Sequence, residues 1–258
     1  MFQVPYIEFS KALLVFARMS AMVFLLPIYG FRTVPVQLKA AICVLLTIIV
    51  FPVVRMDFVP QSNQPAELLI LLTREVIIGL IIGFSATILF YGIQMAGQIV
   101  GIQMGYGIVN VVDPMSEVQI SLIGQLNYLL ALLIFLCLDG HHFLIRALVL
   151  SYDHIGLGGG AFSGALVQKM TILTGSIFDI ALRIAAPIFV TLFVTDVALG
   201  FIARVAPQMN VFIIGFPLKI GVGLLVITLV VSYFPYIFGK LVDIYQADIV
   251  EIVRILGK

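Results

Sequence analysis

The sequence predicts an all-α integral membrane protein, and three observations carry that expectation. Only 10% of its residues are charged and 62% are apolar, whereas a soluble domain needs roughly 25% charged residues to face water. The apolar residues form long continuous runs, not the short alternating segments of a membrane barrel. Glycine and proline, 22 and 11 residues respectively, are scattered through those runs as they are in membrane helices. The chain of 258 residues therefore reads as a single membrane-embedded domain, 1–258, without room for a second.

Taken in order, the apolar runs cover 12–26, 38–54, 68–112, 118–138, 161–203 and 211–234, which predicts roughly six to eight hydrophobic helical segments. Before the first run stand Glu8 and a single basic residue, Lys11. A secretory signal would have a charged leader and a small-residue cleavage site, so this run is expected to stay attached. It also carries Arg18 and is short of the ~20 residues that cross a bilayer core. The run at 76–112 is uncharged and as one helix would reach ~55 Å, so it must break, bend or protrude from a core of ~30 Å. Pro27, Pro52, Pro187, Pro207, Pro217 and Pro235 sit in or beside the runs, and each removes a backbone donor that a neighbour has to compensate. Broken helices and helical hairpins packed in a hetero-oligomeric assembly are the expectation.

Charges between the runs are few: Arg32, Lys39, Arg55, Asp57, Glu67 and a mixed C-terminus. Their balance sets no orientation by the positive-inside rule. Fourteen basic and thirteen acidic residues leave a net charge of +1, so no basic surface argues for nucleic acid, and partners are sought within the membrane and its lipid. Cys43 and Cys137 lie far apart inside apolar runs, as buried reduced thiols do. The stretch 241–258 places Leu241, Tyr245, Ile249, Ile252 and Leu256 at helical spacing, with Asp243, Glu251, Arg254 and Lys258 for the other side. It predicts an amphipathic C-terminal helix.

Small and polar residues mark faces on these helices. Gly79 and Gly83, and Gly97, Gly101 and Gly105, recur every four residues, baring backbone where another helix can approach closely. Gln94 and Gln98 share that spacing and Gln103 follows; unpaired amides are costly in hydrocarbon, so this helix should face protein or water. Met104-Gly105-Tyr106-Gly107-Ile108-Val109-Asn110-Val111-Val112-Asp113-Pro114-Met115 combines helix-breaking and β-branched residues and reads as an apolar loop. It is either an interhelical turn at the membrane surface or a flexible plug in a pore. Asp179 and Arg183, four apart, can pair along one helix. Asp196 and Arg204 share a face two turns apart, while Arg18 and Lys219 have no local partner and must snorkel, pair with another segment or subunit, or line an aqueous route. The cluster Asp139, His141 and His142, with Asp153 and His154 downstream, is read as a polar turn, because adjacent histidines diverge on a helix and zinc asks for three or four convergent ligands. No phosphate loop, nucleophile elbow or zinc-protease helix appears, so neither a cofactor nor catalysis on a small substrate is read from the chain.

Three blocks carry a resemblance. They are Gly101-Ile-Gln-Met-Gly105 running to Val112-Asp113-Pro114, then Asp139-Gly140-His141 after a long apolar helix, and most specifically Leu199-Gly200-Phe-Ile-Ala-Arg204-Val-Ala-Pro207-Gln208-Met-Asn210-Val-Phe-Ile-Ile-Gly215-Phe-Pro217. Together with the early Arg18, Pro27 and Val34-Pro35 pattern they resemble the FliR family of flagellar biosynthetic proteins over nearly the whole chain. The resemblance implies an export gate built with FliP-like and FliQ-like membrane subunits in the bacterial inner membrane and served by FlhB-like and FlhA-like components. It implies a closed, cone-like helical assembly partly above the lipid, conducting unfolded flagellar proteins and driven by energy from elsewhere in the apparatus. It also makes the loop after Gly105 the resting plug, with Ile108 and Val111 filling the passage. Some relatives place bulky aromatics there, so a seal in this chain leans more on Met104, Tyr106 and Met115. An injectisome subunit of the related SctT type is the alternative within the class. A secondary transporter, with Arg183, Asp196 and Lys219 at a small-molecule site, would show an internal repeat, and none is visible.

Overall fold

The computed structural model describes residues 3–28, 34–54, 65–106 and 121–257. Among them the chain forms eight helices and no strand: α1 (Gln3–Leu25), α2 (Val36–Val50), α3 (Pro65–Met104), α4 (Leu122–Cys137), α5 (Gly140–Ile155), α6 (Gly164–Val205), α7 (Val211–Val231) and α8 (Phe234–Leu256). The chain is an all-helical membrane protein. Three helices, α3, α6 and α7, are long and apolar enough to cross a membrane, and a fourth span results if α4 and α5 count as one broken crossing.

The expected break does not fall within the long third run up to Met104, where α3 is one continuous helix. Its 40 residues reach ~60 Å, about twice a bilayer core. α6, with 42 residues, runs on through Pro187, and α7 contains Pro217. The apolar runs at 118–138 and 161–203 closely match α4 and α6. The polar stretch after Leu138 is less of a turn than its composition implies. Leu138 and Asp139 make the break, the latter in the left-handed conformation at φ 54°, and His141 and His142 already belong to α5. The helix escapes a hydropathy reading because only one stripe is apolar: Leu144, Ala147, Leu148, Ser151, Tyr152 and Ile155 are buried at the spacing of a single face. The C-terminal helix likewise begins before Leu241, at Phe234.

The contacts divide the chain into two compact units. Unit 1 takes Met1–Ile88, Leu136–Thr174 and Val242–Lys258, and unit 2 takes Leu89–Phe135 and Gly175–Leu241. The heart of unit 1 is polar. Arg18, fully buried on α1, donates from Nε to Glu75 Oε2 at 2.5 Å and from Nη2 to Oε1 at 3.1 Å, while Nη1 reaches Ser151 Oγ at 3.0 Å. Nη2 also donates to the Gly156 carbonyl at 2.8 Å, and the guanidinium lies 4.2 Å from the centre of the Tyr152 ring. Glu75 accepts a further bond from the Gly158 amide. Positive φ at Gly156, Gly158 and Gly160 lets this loop fold its amide and carbonyl onto the pair, a conformation strained for residues with a Cβ. Around that centre α1 and α3 approach closely: a Cβ on Gly79 would fall 2.4 Å from the Arg18 carbonyl oxygen, and one on Gly83 3.1 Å from that of Met22.

The amphipathic end of α8 closes unit 1. Val242, Tyr245, Ile249, Ile252, Val253 and Leu256 are buried, while Asp243 and Arg254 are exposed. Lys169 of α6 reaches Asp248 at 2.8 Å and also Glu251. Unit 2 has an aromatic centre, where Phe90 meets Tyr128, Phe135 and Phe238 at ring separations of 5.8, 5.3 and 6.2 Å. Gly97 lies against Gly124, 2.4 Å from a Cβ on the former to Cα of the latter, and Ser121 donates to the Gly97 carbonyl. Cys43 is buried in α2, but Cys137, at the end of α4, is exposed; an apolar neighbourhood in sequence did not fix its burial.

Candidate functional site: the charged anchor at the end of α3

The end of α3 is set by its own residues. Gly105 adopts φ 93°, its amide donates to the Ile102 carbonyl, and the Tyr106 amide donates to the Gly101 carbonyl, both at 3.0 Å. This paired arrangement is a Schellman cap, which satisfies the last helical carbonyls and turns the chain away from the axis. Only glycine fits Gly105 on two counts. Its backbone is left-handed, and a Cβ would fall 2.5 Å from the Phe216 ring of α7. One residue earlier, fully buried Met104 seats in the notch at Gly223, where a Cβ would lie 2.7 Å from the methionine methyl.

Lys219 stands between Phe216 and Gly223 on the same face of α7, at helical spacing. Its Nζ bonds Asp196 Oδ1 of α6 at 2.7 Å, and Gln103 Nε2 of α3 donates to Asp196 Oδ2 at 2.9 Å. Both carboxylate oxygens are thus engaged, and one acid joins three helices immediately before the Gly105 cap. Lys219 is 16% exposed and Asp196 38%, so solvent still screens part of the attraction between them. Beside it opens a cavity of about 320 Å³, lined by Asp196, Gly200, Val211, Gly215, Phe216 and Lys219 among others. The arrangement fixes the chain's exit from α3 mechanically and leaves free volume next to it.

Residues 9–244 match the family described as bacterial export proteins, family 1. The chain belongs to this family. Among its relatives, the flagellar biosynthetic protein FliR of Bacillus subtilis (strain 168) is 34% identical over 228 residues, covering 87% of each chain. The flagellar biosynthetic protein FliR of Escherichia coli (strain K12) is 30% identical over 238 residues, 91% of this chain and 90% of the relative. The Yop proteins translocation protein T of Yersinia pestis is 30% identical over 204 residues, 75% of each.

In this export-family chain the residues singled out from sequence fall into five groups. Met104, Gly105 and Tyr106 form the cap; Gly107, Ile108, Val109, Asn110, Val111, Val112, Asp113, Pro114 and Met115 lie outside the described residues. Gly79 and Gly83 face α1, Gly97 faces α4 and Gly101 faces Ser121. Asp196 joins Lys219 and not Arg204, which is exposed. Asp179 and Arg183 pair along α6 at 2.9 Å, both largely exposed, and Arg18 is the buried centre of unit 1. His142 Nδ1 lies 3.2 Å from Asp139 Oδ1, both exposed.

Sequence reasoning missed Glu75, Phe216 and Gly223. Glu75 left a usable signal, being an acid at the threshold of an apolar run in a chain whose most deeply placed arginine lacked a local partner. Phe216 and Gly223 left none, since their importance comes from α3 meeting α7.

Proposed function

We propose that this chain is the FliR-type subunit of the flagellar protein export gate in the bacterial inner, cytoplasmic membrane. The observation that carries the reading, beyond family membership, is the anchor at Gly105. A capped helix end held by Phe216, Gly223 and the Gln103–Asp196–Lys219 bonds is what a loop needs if it is to block a passage and return after displacement. On this reading the loop through Ile108 and Val111 is the resting plug, and methionines at 104 and 115 suit a closure that yields to different polypeptides. The whole chain acts as one export domain, with the amphipathic stretch 241–258 inside it. It carries no catalytic group: unfolded flagellar proteins pass when the plug moves, and FliP-like, FliQ-like, FlhB-like and FlhA-like components supply the remaining walls and the drive. The exposed Asp179–Arg183 pair supports the hetero-oligomeric reading, because charges on an apolar helix are costly against lipid and acceptable against protein or water.

Deletion of residues 106–112 tests the plug. The variant is expected to co-purify with its membrane partners and to make vesicles leak ions, whereas an assembled complex that stays tight removes the assignment. An injectisome role is the second reading, favoured by the Yersinia relative. Restoration of swimming in a flagellated bacterium lacking its own subunit supports the flagellar role, and restoration of injectisome secretion alone supports the other.

A further inference from the structure

A second cavity, within unit 1, has no part in the anchor. It measures about 230 Å³ and lies between α1, α2 and α5, with Met22, Leu26, Ile42, Leu45, Leu144 and His141 among its walls. Every lining side chain is apolar except that of His141. The Nδ1 atom of His141 is buried and has no hydrogen-bond partner among the described residues, a state that costs about 1–3 kcal/mol and in native proteins calls for a partner.

The surroundings give the cavity a direction. Its His141 end adjoins Asp139 and His142, both exposed and polar. Its walls include Met19, Met22 and Val23, all buried. One wall is Leu45, which is 60% exposed and stands on α2 beside exposed Val44, Ile48 and Ile49. The space is therefore an apolar pocket with one polar handle, walled on one side by a helix whose outer face is apolar and exposed. An apolar cavity of ~150 Å³ stays dry and takes up small hydrocarbons, so this larger one favours an alkyl chain over water.

We propose that this pocket is a phospholipid site. One acyl chain lies between α1, α2 and α5, entering past Leu45, and the His141 Nδ1–H donates to the ester carbonyl where the chain meets the glycerol. The headgroup then rests at the Asp139–His142 turn. The inference requires only that the chain is embedded in a membrane and is independent of any pore or plug.

The test uses the full chain in vesicles of phosphatidylethanolamine and phosphatidylglycerol, doped with a phosphatidylethanolamine bearing a diazirine midway along one acyl chain. After illumination, mass spectrometry of the peptides is expected to find adducts on buried residues of α1 and α5 such as Met22 and Leu144. Ile42→Phe, which fills the pocket, should reduce those adducts while leaving adducts on exposed Ile48 unchanged. Ile145→Phe provides the same comparison should Ile42→Phe fold poorly. His141→Leu removes one hydrogen bond and should lower the adduct yield about fivefold. Adducts confined to the exposed face of α2, or adducts at Met22 that neither filling variant reduces, would overturn the site. So would replacement of the lipid adducts by cross-links to a co-purified protein helix when the partners are present.

Discussion

Removing the Arg18 side chain, as in Arg18→Met, deletes four hydrogen bonds at once, two to Glu75 and one each to Ser151 and the Gly156 carbonyl. What remains is unequal. Ser151 keeps its bond to the Leu148 carbonyl and Glu75 keeps the Gly158 amide, but the carboxylate loses its counter-charge in a fully buried place. Breaking a buried ion pair from one side costs about 3–5 kcal/mol, whereas replacing both members with apolar residues of similar size is often neutral. Arg18→Met alone should therefore reduce the folded-to-unfolded ratio by about a hundred- to several-thousandfold, and Arg18→Met with Glu75→Met should recover most of that loss. Steady-state abundance in membranes and thermal unfolding of the purified assembly both measure it, arranged as a double-mutant cycle. Equal losses in the single and double variants would refute the reasoning, since the damage would then come from lost packing and not from an orphaned charge.

Further expectations attach to unit 2 and the surface. Gly105→Ala forces a left-handed alanine, costing about 1–2 kcal/mol, and also presses on Phe216; vesicle ion leakage should rise while co-purification with partners persists. Lys219→Met leaves Asp196 with Gln103 as its remaining bond at the anchor and should lower flagellar protein secretion, with Asp196→Leu added in the same chain restoring part of it. Gly97→Leu places a side chain where Gly124 lies and should cut membrane abundance, read by immunoblot. Lys169→Ala removes an ion pair that is only partly shielded, and a change in thermal midpoint beyond what about 1 kcal/mol gives would contradict its surface character.

The fold class was legible because solvent selects composition: a chain with so few charges has to satisfy its backbone internally in lipid, and helices do so segment by segment. Local spacing was equally readable, so Asp179 and Arg183 could be placed four apart on one helix. What spacing cannot show is a pair formed across the fold. Arg18 and Glu75 are separated by 57 residues, and Lys219 finds Asp196 because α6 and α7 meet at those turns. The helix α5 was hidden for another reason. Its charged and histidine face dilutes the hydropathy of its buried stripe, so a search for apolar runs passes over it, while a search at a period of 3.6 finds it.

The bare surfaces of α6 and α7 bear on how cells handle the protein. Only 33% and 17% of their most apolar windows are buried within the chain, against 67% for α3. Between lipid tails and apolar side chains there is no hydrophobic force to bring helices together, so such surfaces wait for close-fitting neighbours. Gly175 and Gly221 add stretches of open backbone on those same helices. On the proposed hetero-oligomeric reading, a copy synthesised in excess of its neighbours keeps these surfaces uncovered. Such a copy is expected to be cleared faster than an assembled one, and the half-life of this chain measured with and without co-expressed partners checks it.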